Sequence, residues 1–300
     1  MTETIQNMLS KKAESQKSGL VEYVGTVEAY DKWAEVYDTD GNFLQRLDTI
    51  ELRVLLPRFL DAVKSRFKST EQLKLVDLGC GTGRNTVQLL KTLSKYKENE
   101  DTDQSHDGKT SATQIEVIGV DASPGMLEVA QKTVQSAFTQ NESQSAEVSL
   151  GVFDLLKPIS DGNRLPTPLQ QTGAAGVIST LVLEHIPLRE FFEAASAMMQ
   201  PGGYLLITNM HADMGALSQA GFTDPQTGVK IRPTSYCHST AEVLAAATGA
   251  GFHIKNLIGE KGGNAVLERA VDENLGDILG ARAKKWVGIN VWFGVCFSKI

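Results

Sequence analysis

Cysteine is scarce in this 300-residue chain: Cys80, Cys237 and Cys296 are the only three. Three scattered thiols exclude a disulfide framework and leave no CxxC pair to hold a metal. They fit a reducing, cytoplasmic setting, and a chain of this length buries a core without cross-links. Long apolar runs are missing too. No eighteen consecutive apolar residues occur, so no membrane span is expected. The first twenty residues are polar and of mixed charge, without the apolar stretch of a secretory signal. Positive charge is not in excess either. The 29 Lys and Arg face 36 Asp and Glu, a formal net charge of -7. A nucleic acid, held through its phosphates, is therefore not an expected partner. The five histidines do not cluster, which argues against a catalytic metal. No internal repeat is present.

What is present is alternation of strand and helix. LKLVDLG from Leu73 has the pattern of a buried strand, and Arg84 to Leu93 that of a helix. Ile115–Val120 is a second strand. Ser123 then stands as N-cap with Pro124 at the first helical position, opening a helix towards Phe138. Val148–Phe153 and Gly176–Thr180 are further strands. A helix over Pro187–Met199 stops at Pro201-Gly202-Gly203, and Tyr204–Thr208 is a fifth strand. Such alternation predicts an α/β, Rossmann-like, doubly wound sheet with helices on both faces. Polar stretches over Lys95–Gln114, Asn141–Ala146 and Pro158–Thr172 are expected as loops.

The flanks are less regular. Residues 1–26 are expected as a flexible tail, and 27–300 as a single domain. Within it, 27–70 forms a helical lid segment. There Tyr30, Trp33 and Tyr37 fall at helical spacing, before an amphipathic helix from Asp48 to Phe67 that Pro57 kinks or divides. Residues 71–210 form the central core and 211–300 a segment that shapes the acceptor pocket. In that last part Ser239-Thr240 caps a helix ending near Gly251, Phe252–Ile258 is a strand, Asn264–Ala283 is helical, and Asn290–Ser298 is the last strand.

The sharpest local signal is VDLGCGTGRN, Val76 to Asn85. A buried strand enters Gly79-x-Gly81-x-Gly83 and passes directly into a helix. Glycines let the backbone turn tightly and approach a ligand, and the helix start offers free N–H groups. A dinucleotide fingerprint wants its third glycine at position 84, which is Arg84. Asp77 before the loop suits an amino group and would repel a pyrophosphate. Asp121 ends the second strand in VIGVDAS, where a carboxylate can accept both hydroxyls of a ribose. Phe153-Asp154 ends the third strand, placed to flank an adenine and accept from its exocyclic amine. STLVLEHIP, Ser179 to Pro187, follows the fourth.

The order VDLGCGTG, GVDAS, FD, LEHI, PGGYLLI resembles the class I S-adenosylmethionine-dependent methyltransferases, over roughly Tyr30 to Met210. The resemblance implies S-adenosyl-L-methionine as cofactor and a seven-stranded, mostly parallel sheet whose last strand is antiparallel. It implies that Asp77, Gly79, Gly81 and Gly83 line the methionine part, with Cys80 in the same loop. Asp121 would hold the ribose, beside Ala122 and Met126, and Phe153 and Asp154 the adenine. Thr180 and Leu181 would border the cofactor opposite the glycine loop.

The segment YDKWAEVYD is similar to the lid of small-molecule members, including fungal natural-product methyltransferases. Tyr30, Trp33 and Tyr37 are then either a core stripe or a lid whose ring faces meet the cationic sulfonium. His185 and His211 are the candidate bases, though His185 in LEHI can equally stabilise a turn. Tyr236 and His238 are candidates for acceptor contact. The expected reaction is methyl transfer to nitrogen or oxygen of a small-molecule or peptide-like natural product, by a monomer or homodimer. The alternatives are a nucleic acid or protein methyltransferase, for which no basic face is visible, and an enzyme of this fold that uses the cofactor without methyl transfer.

Overall fold

Residues that alternate between two apolar environments set the architecture. The computed structural model describes residues 3–12, 21–68, 72–103, 113–137, 146–160, 162–257 and 265–300. The chain opens with α1 (Ile5–Lys12), β1 (Val21–Val24), α2 (Thr26–Trp33) and α3 (Phe43–Arg66). The core follows as β2 (Gln72–Leu78), α4 (Arg84–Asp103), β3 (Gln114–Asp121), α5 (Pro124–Ala137) and β4 (Glu147–Val152). Next come α6 (Thr167–Gln171), β5 (Ala174–Thr180), α7 (Leu188–Met198) and β6 (Met199–Met210). The last part holds α8 (Ala212–Gly215), β7 (Phe222–Thr223), β8 (Lys230–Pro233), α9 (Thr240–Gly249) and β9 (Phe252–Lys255). It ends with β10 (Val266–Ala270), α10 (Glu273–Leu279), α11 (Ala281–Lys284) and β11 (Asn290–Lys299).

The main sheet runs β10-β11-β6-β5-β2-β3-β4, with β9 pairing the end of β11 beyond β10. Strands β2 to β6 are parallel and β11 is antiparallel to β6. Neighbouring residues face opposite sides, as the period of a strand demands. Leu75, Val117 and Leu206 join one apolar cluster with α3 and α4. Val76, Ile118 and Ile207 join another with α7 and α9. From β2 the chain winds outward through β3 and β4, then returns to lay β5 on the other side of β2. The carboxyl ends of β2 and β5 are thus a topological switch point, where such sheets open a crevice. A small sheet of order β1-β8-β7 lies outside the main one, and Phe222 of β7 stacks on Trp33 of α2 at 5.0 Å.

Several expectations are corrected. The stretch expected as a loose tail contains α1 and β1. Ile5 is fully buried, and its N–H donates to the Ser235 carbonyl at 2.8 Å. One deeply seated apolar side chain and a borrowed strand partner anchor an otherwise polar segment, which leaves no periodicity to read. Pro57 does not divide α3: Leu52, Leu55, Leu56, Phe59 and Leu60 bury one continuous stripe across it. The Lys95–Gln114 stretch is helical as far as Asp103, and Pro158–Thr172 includes α6. Pro201-Gly202-Gly203 lies inside β6, whose pairing with β5 resumes after a shift in register. The 264–283 region is no single helix. Val266 to Ala270 pairs with β11, and Gly280 at φ +98° closes α10. Among the described residues no helix is long and apolar enough to cross a membrane.

Candidate active site

The glycine loop after β2 is shaped by left-handed backbone. Gly79, Gly81 and Gly83 have φ of 75°, 53° and 82°. Such angles cost an L side chain about 1 kcal/mol or more. The N–H groups of Gly79 and Cys80 both donate to the Val120 carbonyl, at 2.8 and 2.9 Å, tying the loop to β3. A Cβ on Gly79 would lie 2.3 Å from Val182 Cγ2, while one on Gly81 would meet nothing within 4 Å. A Cβ on Gly83 would lie 3.2 Å from Ala130 Cα, so that glycine lets α4 pack on α5 and stands outside the cleft.

A cleft opens at the switch point. It brings together Gly79 and Gly81, Asp121, Ala122 and Met126, Phe153 and Asp154, Thr180 and Leu181, and Tyr30, Tyr37 and His185. These come from segments scattered over more than half the chain. Sequence reasoning missed Thr26 and Val27 of α2, and Ser123, Leu155, Leu156, Val182 and Ile186, which also line it. Most are apolar and adjacent to singled-out residues; proximity to Phe153-Asp154 and to LEHI was the available signal. Leu181 is the one described non-glycine residue with positive φ, 57°. Its N–H donates to the Thr208 carbonyl at 2.8 Å, which holds the strained turn over the cleft.

Asp121 sits where the sequence predicts. One carboxylate oxygen accepts the Gly81 N–H and the other the Ser123 N–H, each at 2.9 Å. The Ala122 backbone N–H also favours the ionised carboxylate, and lone-pair capacity remains for a ligand hydroxyl. Burial raises the Asp121 pKa, partly offset by those backbone hydrogen bonds. Ser123 donates its hydroxyl to Asp31 Oδ1 at 2.5 Å, and Gly125 N–H donates to the same oxygen at 3.0 Å. Asp31 thereby latches α2 onto the start of α5. Asp154 is held through its backbone: its N–H donates to Asn163 Oδ1 at 2.9 Å, and Asn163 Nδ2 donates back to its carbonyl at 2.8 Å. Its side chain accepts from Leu156 N–H and pairs with Lys157.

On the lid side, Tyr30 and His185 meet at 2.7 Å between hydroxyl and Nε2. The other ring nitrogen, Nδ1, lies 2.9 Å from the Thr234 carbonyl. A carbonyl only accepts, so Nδ1 carries a proton. In the neutral ring Nε2 is then the acceptor and the Tyr30 O–H the donor. Burial, reinforced by nearby Tyr37 and Glu184, raises the Tyr30 pKa well above its ordinary value, which keeps the phenol protonated.

Other predicted residues lie elsewhere. Asp77 is fully buried under the loop, accepting from Thr86 Oγ1 at 2.6 Å. Burial pushes its pKa up to about 6. Its other oxygen has no partner among the described residues. Cys80 points away from the cleft, towards Gly119, and burial raises its thiol pKa. Trp33 is buried between Tyr30 and Phe222, with its Nε1 donating to Asp40 Oδ2 at 3.1 Å. His211 caps α8, accepting from Asp213 N–H at Nδ1, and faces Glu268 at 3.3 Å. Tyr236 stacks on His238, whose Nε2 donates to the Ile186 carbonyl at 3.0 Å. Burial lowers the His238 pKa. Tyr236 N–H donates to the Glu184 carbonyl. The pair therefore braces the LEHI turn and lines no part of the cleft. Nor is Arg84 in it. It donates to Asp48, a fully buried carboxylate that also accepts from Asn85, Thr208 and Trp292. Asn85 in turn donates to Thr180 Oγ1 at 2.6 Å.

The donor set fits an adenosyl group carrying an amino acid. A glycine-walled turn, an end-of-strand carboxylate, and the apolar Met126, Phe153 and Leu155 with Asp154 share one cleft. The matching family and the sequence relative agree on the class. Residues 50–239 match the methyltransferase domain family. An uncharacterized methyltransferase of Emericella nidulans is 53% identical over 283 residues, covering 92% of this chain and 91% of that protein. In three dimensions the chain is similar to DhpI in complex with SAH, at 16% identity and a TM-score of 0.49, covering 91% of this chain and 94% of that one. It is also similar to an S-adenosylmethionine dependent methyltransferase from Mesorhizobium loti, at 16% identity and a TM-score of 0.46, covering 81% and 98%. The protein is a methyltransferase. It belongs to the methyltransferase domain family.

Proposed function

We propose that this methyltransferase acts on a nitrogen or oxygen of a small-molecule or peptide-like metabolite of the natural-product kind, with the donor in the cleft between the glycine loop and Asp121. The observation that carries the reading is the Tyr30–His185 pair lining the same cleft as Gly79, Gly81 and Asp121. Bound S-adenosylmethionine supplies an electrophilic methyl group on a sulfonium. The chain supplies the rest. Asp121 accepts from the ribose hydroxyls, and Met126, Phe153 and Leu155 enclose the base beside Asp154. Tyr30 and Tyr37, which line the cleft, would stand near the cation, and α2, latched by Asp31, would exclude water.

The acceptor's proton leaves through the lid. The acceptor N–H or O–H donates to the Tyr30 oxygen. As the acceptor atom attacks, its proton passes to that oxygen while the Tyr30 proton passes to His185 Nε2. An imidazolium remains, with Nδ1 still donating to Thr234. Such a positioned base contributes about 10²–10⁴-fold. Three scattered cysteines support a cytoplasmic setting. The test uses donor labelled in its methyl group, incubated with mixtures of amine, phenol and amide metabolites, with total RNA and with total protein. Label entering only the small-molecule fraction is the expected result. Label entering RNA or protein contradicts the acceptor class.

A further inference from the structure

Glu184 stands directly behind the Tyr30–His185 pair. It precedes His185 in the tight turn Leu183–His185, and its Oε1 lies 3.3 Å from His185 Nε2. Both side chains are buried, at 8% and 4% exposure. The turn is fixed through the Glu184 backbone, whose N–H donates to Asn209 Oδ1 and whose carbonyl accepts from the Tyr236 N–H. Glu184 lines no part of the donor cleft. It borders a second cavity, with Trp33, that shares no lining residue with the first. Its link to the cleft is His185.

The Glu184 carboxylate lacks a resident counter-charge. Among the described residues its ion-pair partner within 4 Å is His185 alone, and Oε2 has no hydrogen-bond partner. A carboxylate buried without a cation is costly. In the neutral ring Nδ1 donates to Thr234 and Nε2 turns its lone pair to Tyr30, so the ring has no N–H for Glu184. The other groups bonded to the ring carry no charge: Tyr30 from α2, and the Thr234 carbonyl and Ser235 hydroxyl from the segment after β8. The acidic side chains lining the cleft are Asp121 and Asp154, assigned above to the donor's ribose and base.

We propose that Glu184 is a positioning residue of the transfer step, placed to receive the cation that forms on His185. This role rests on His185 being the terminal base. When an acceptor atom attacks the methyl carbon, the carbon–sulfur bond breaks and its electron pair stays on sulfur. The sulfonium becomes a neutral thioether. The acceptor's proton goes to the Tyr30 oxygen, and the Tyr30 proton goes to Nε2. One positive charge leaves sulfur and one appears on the imidazole, 3.3 Å from Glu184 Oε1. An attraction that grows as the ring becomes charged favours the transition state over the bound ground state.

The experiment has two arms on the full chain. In the first, the ring ¹⁵N signals of protein labelled in its five histidines are followed against pH, with His185→Gln assigning the His185 signals. The pH at which that ring takes its second proton is expected to fall by about one pH unit in Glu184→Gln. In the second, transfer from methyl-labelled S-adenosylmethionine is measured with the mixture of amine, phenol and amide metabolites. Glu184→Gln is expected to lower the saturating rate about tenfold and to leave half-saturation by the donor within about twofold. In a His185→Gln background the same change is expected to cost less than about twofold more, because the cation it serves is gone. Retained S-adenosylhomocysteine binding shows that each variant is folded. An unchanged ring midpoint, or a loss of about tenfold that repeats in the His185→Gln background, overturns the proposal and makes Glu184 a packing residue. If the unaltered protein transfers no label to that mixture, the acceptor reading falls, and the ring titration judges the Glu184–His185 pair separately.

Discussion

The Tyr30 hydroxyl donates to His185 Nε2 at 2.7 Å, while the backbone carbonyl of Thr234 fixes the opposite nitrogen of the same ring. The ring is therefore held in one tautomer by groups 155 and 49 residues away in sequence. Removing the phenol O–H in Tyr30→Phe, or the base in His185→Gln, should lower kcat about 10²-fold or more. Affinity for S-adenosylhomocysteine should stay within a few-fold. Steady-state kinetics beside calorimetry separates the two. A loss confined to cofactor affinity, with kcat unchanged, would make the pair a structural brace.

Asp77 makes stability depend on pH. Burial raises its folded pKa from about 3.8 to about 6. The unfolded chain thus ionises first, so the group's favourable contribution is complete below its unfolded pKa and is lost as pH rises through about 6. Between pH 4.5 and 7 this one carboxyl should cost the fold about 2 kcal/mol. Urea unfolding of wild type and Asp77→Asn at both pH values measures it. The difference in stability between the two proteins should move by that amount in favour of the variant at pH 7. A difference that stays constant would show that Asp77 titrates alike in both states.

Asp48 gathers four donors from α4, β6 and β11 with no water-facing surface. Asp48→Ala leaves Arg84 without its charge partner and strands three buried donors. A loss of about 3–5 kcal/mol in unfolding free energy is expected. Chemical denaturation checks it, and a loss below about 1 kcal/mol would mean that the donors find other partners.

What was legible in the sequence was what is local. Gly79, Gly81 and Asp121 sit at strand ends whose apolar patterns mark them, and Ser123 caps α5 with its hydroxyl 3.0 Å from the Met126 N–H as its position before Pro124 suggests. What was hidden depends on distant partners. Asp48 looks like an ordinary helix residue until Trp292 reaches it from β11. Val266–Ala270 has mixed polarity, and only pairing with β11 makes it a strand. Gly83 and Asp77 carry the motif yet support the loop from behind. Trp33 and Tyr30 share a helical stripe but divide between two cavities, a distinction that spacing alone does not encode.

A crystal structure with S-adenosylhomocysteine tests the central claim most directly. The account predicts both ribose hydroxyls within hydrogen-bonding distance of the Asp121 carboxylate, the methionine part against Gly79 and Gly81, and the sulfur facing Tyr30. A nucleoside lying elsewhere on the protein, with Asp121 bonded only to Gly81 and Ser123, would contradict it.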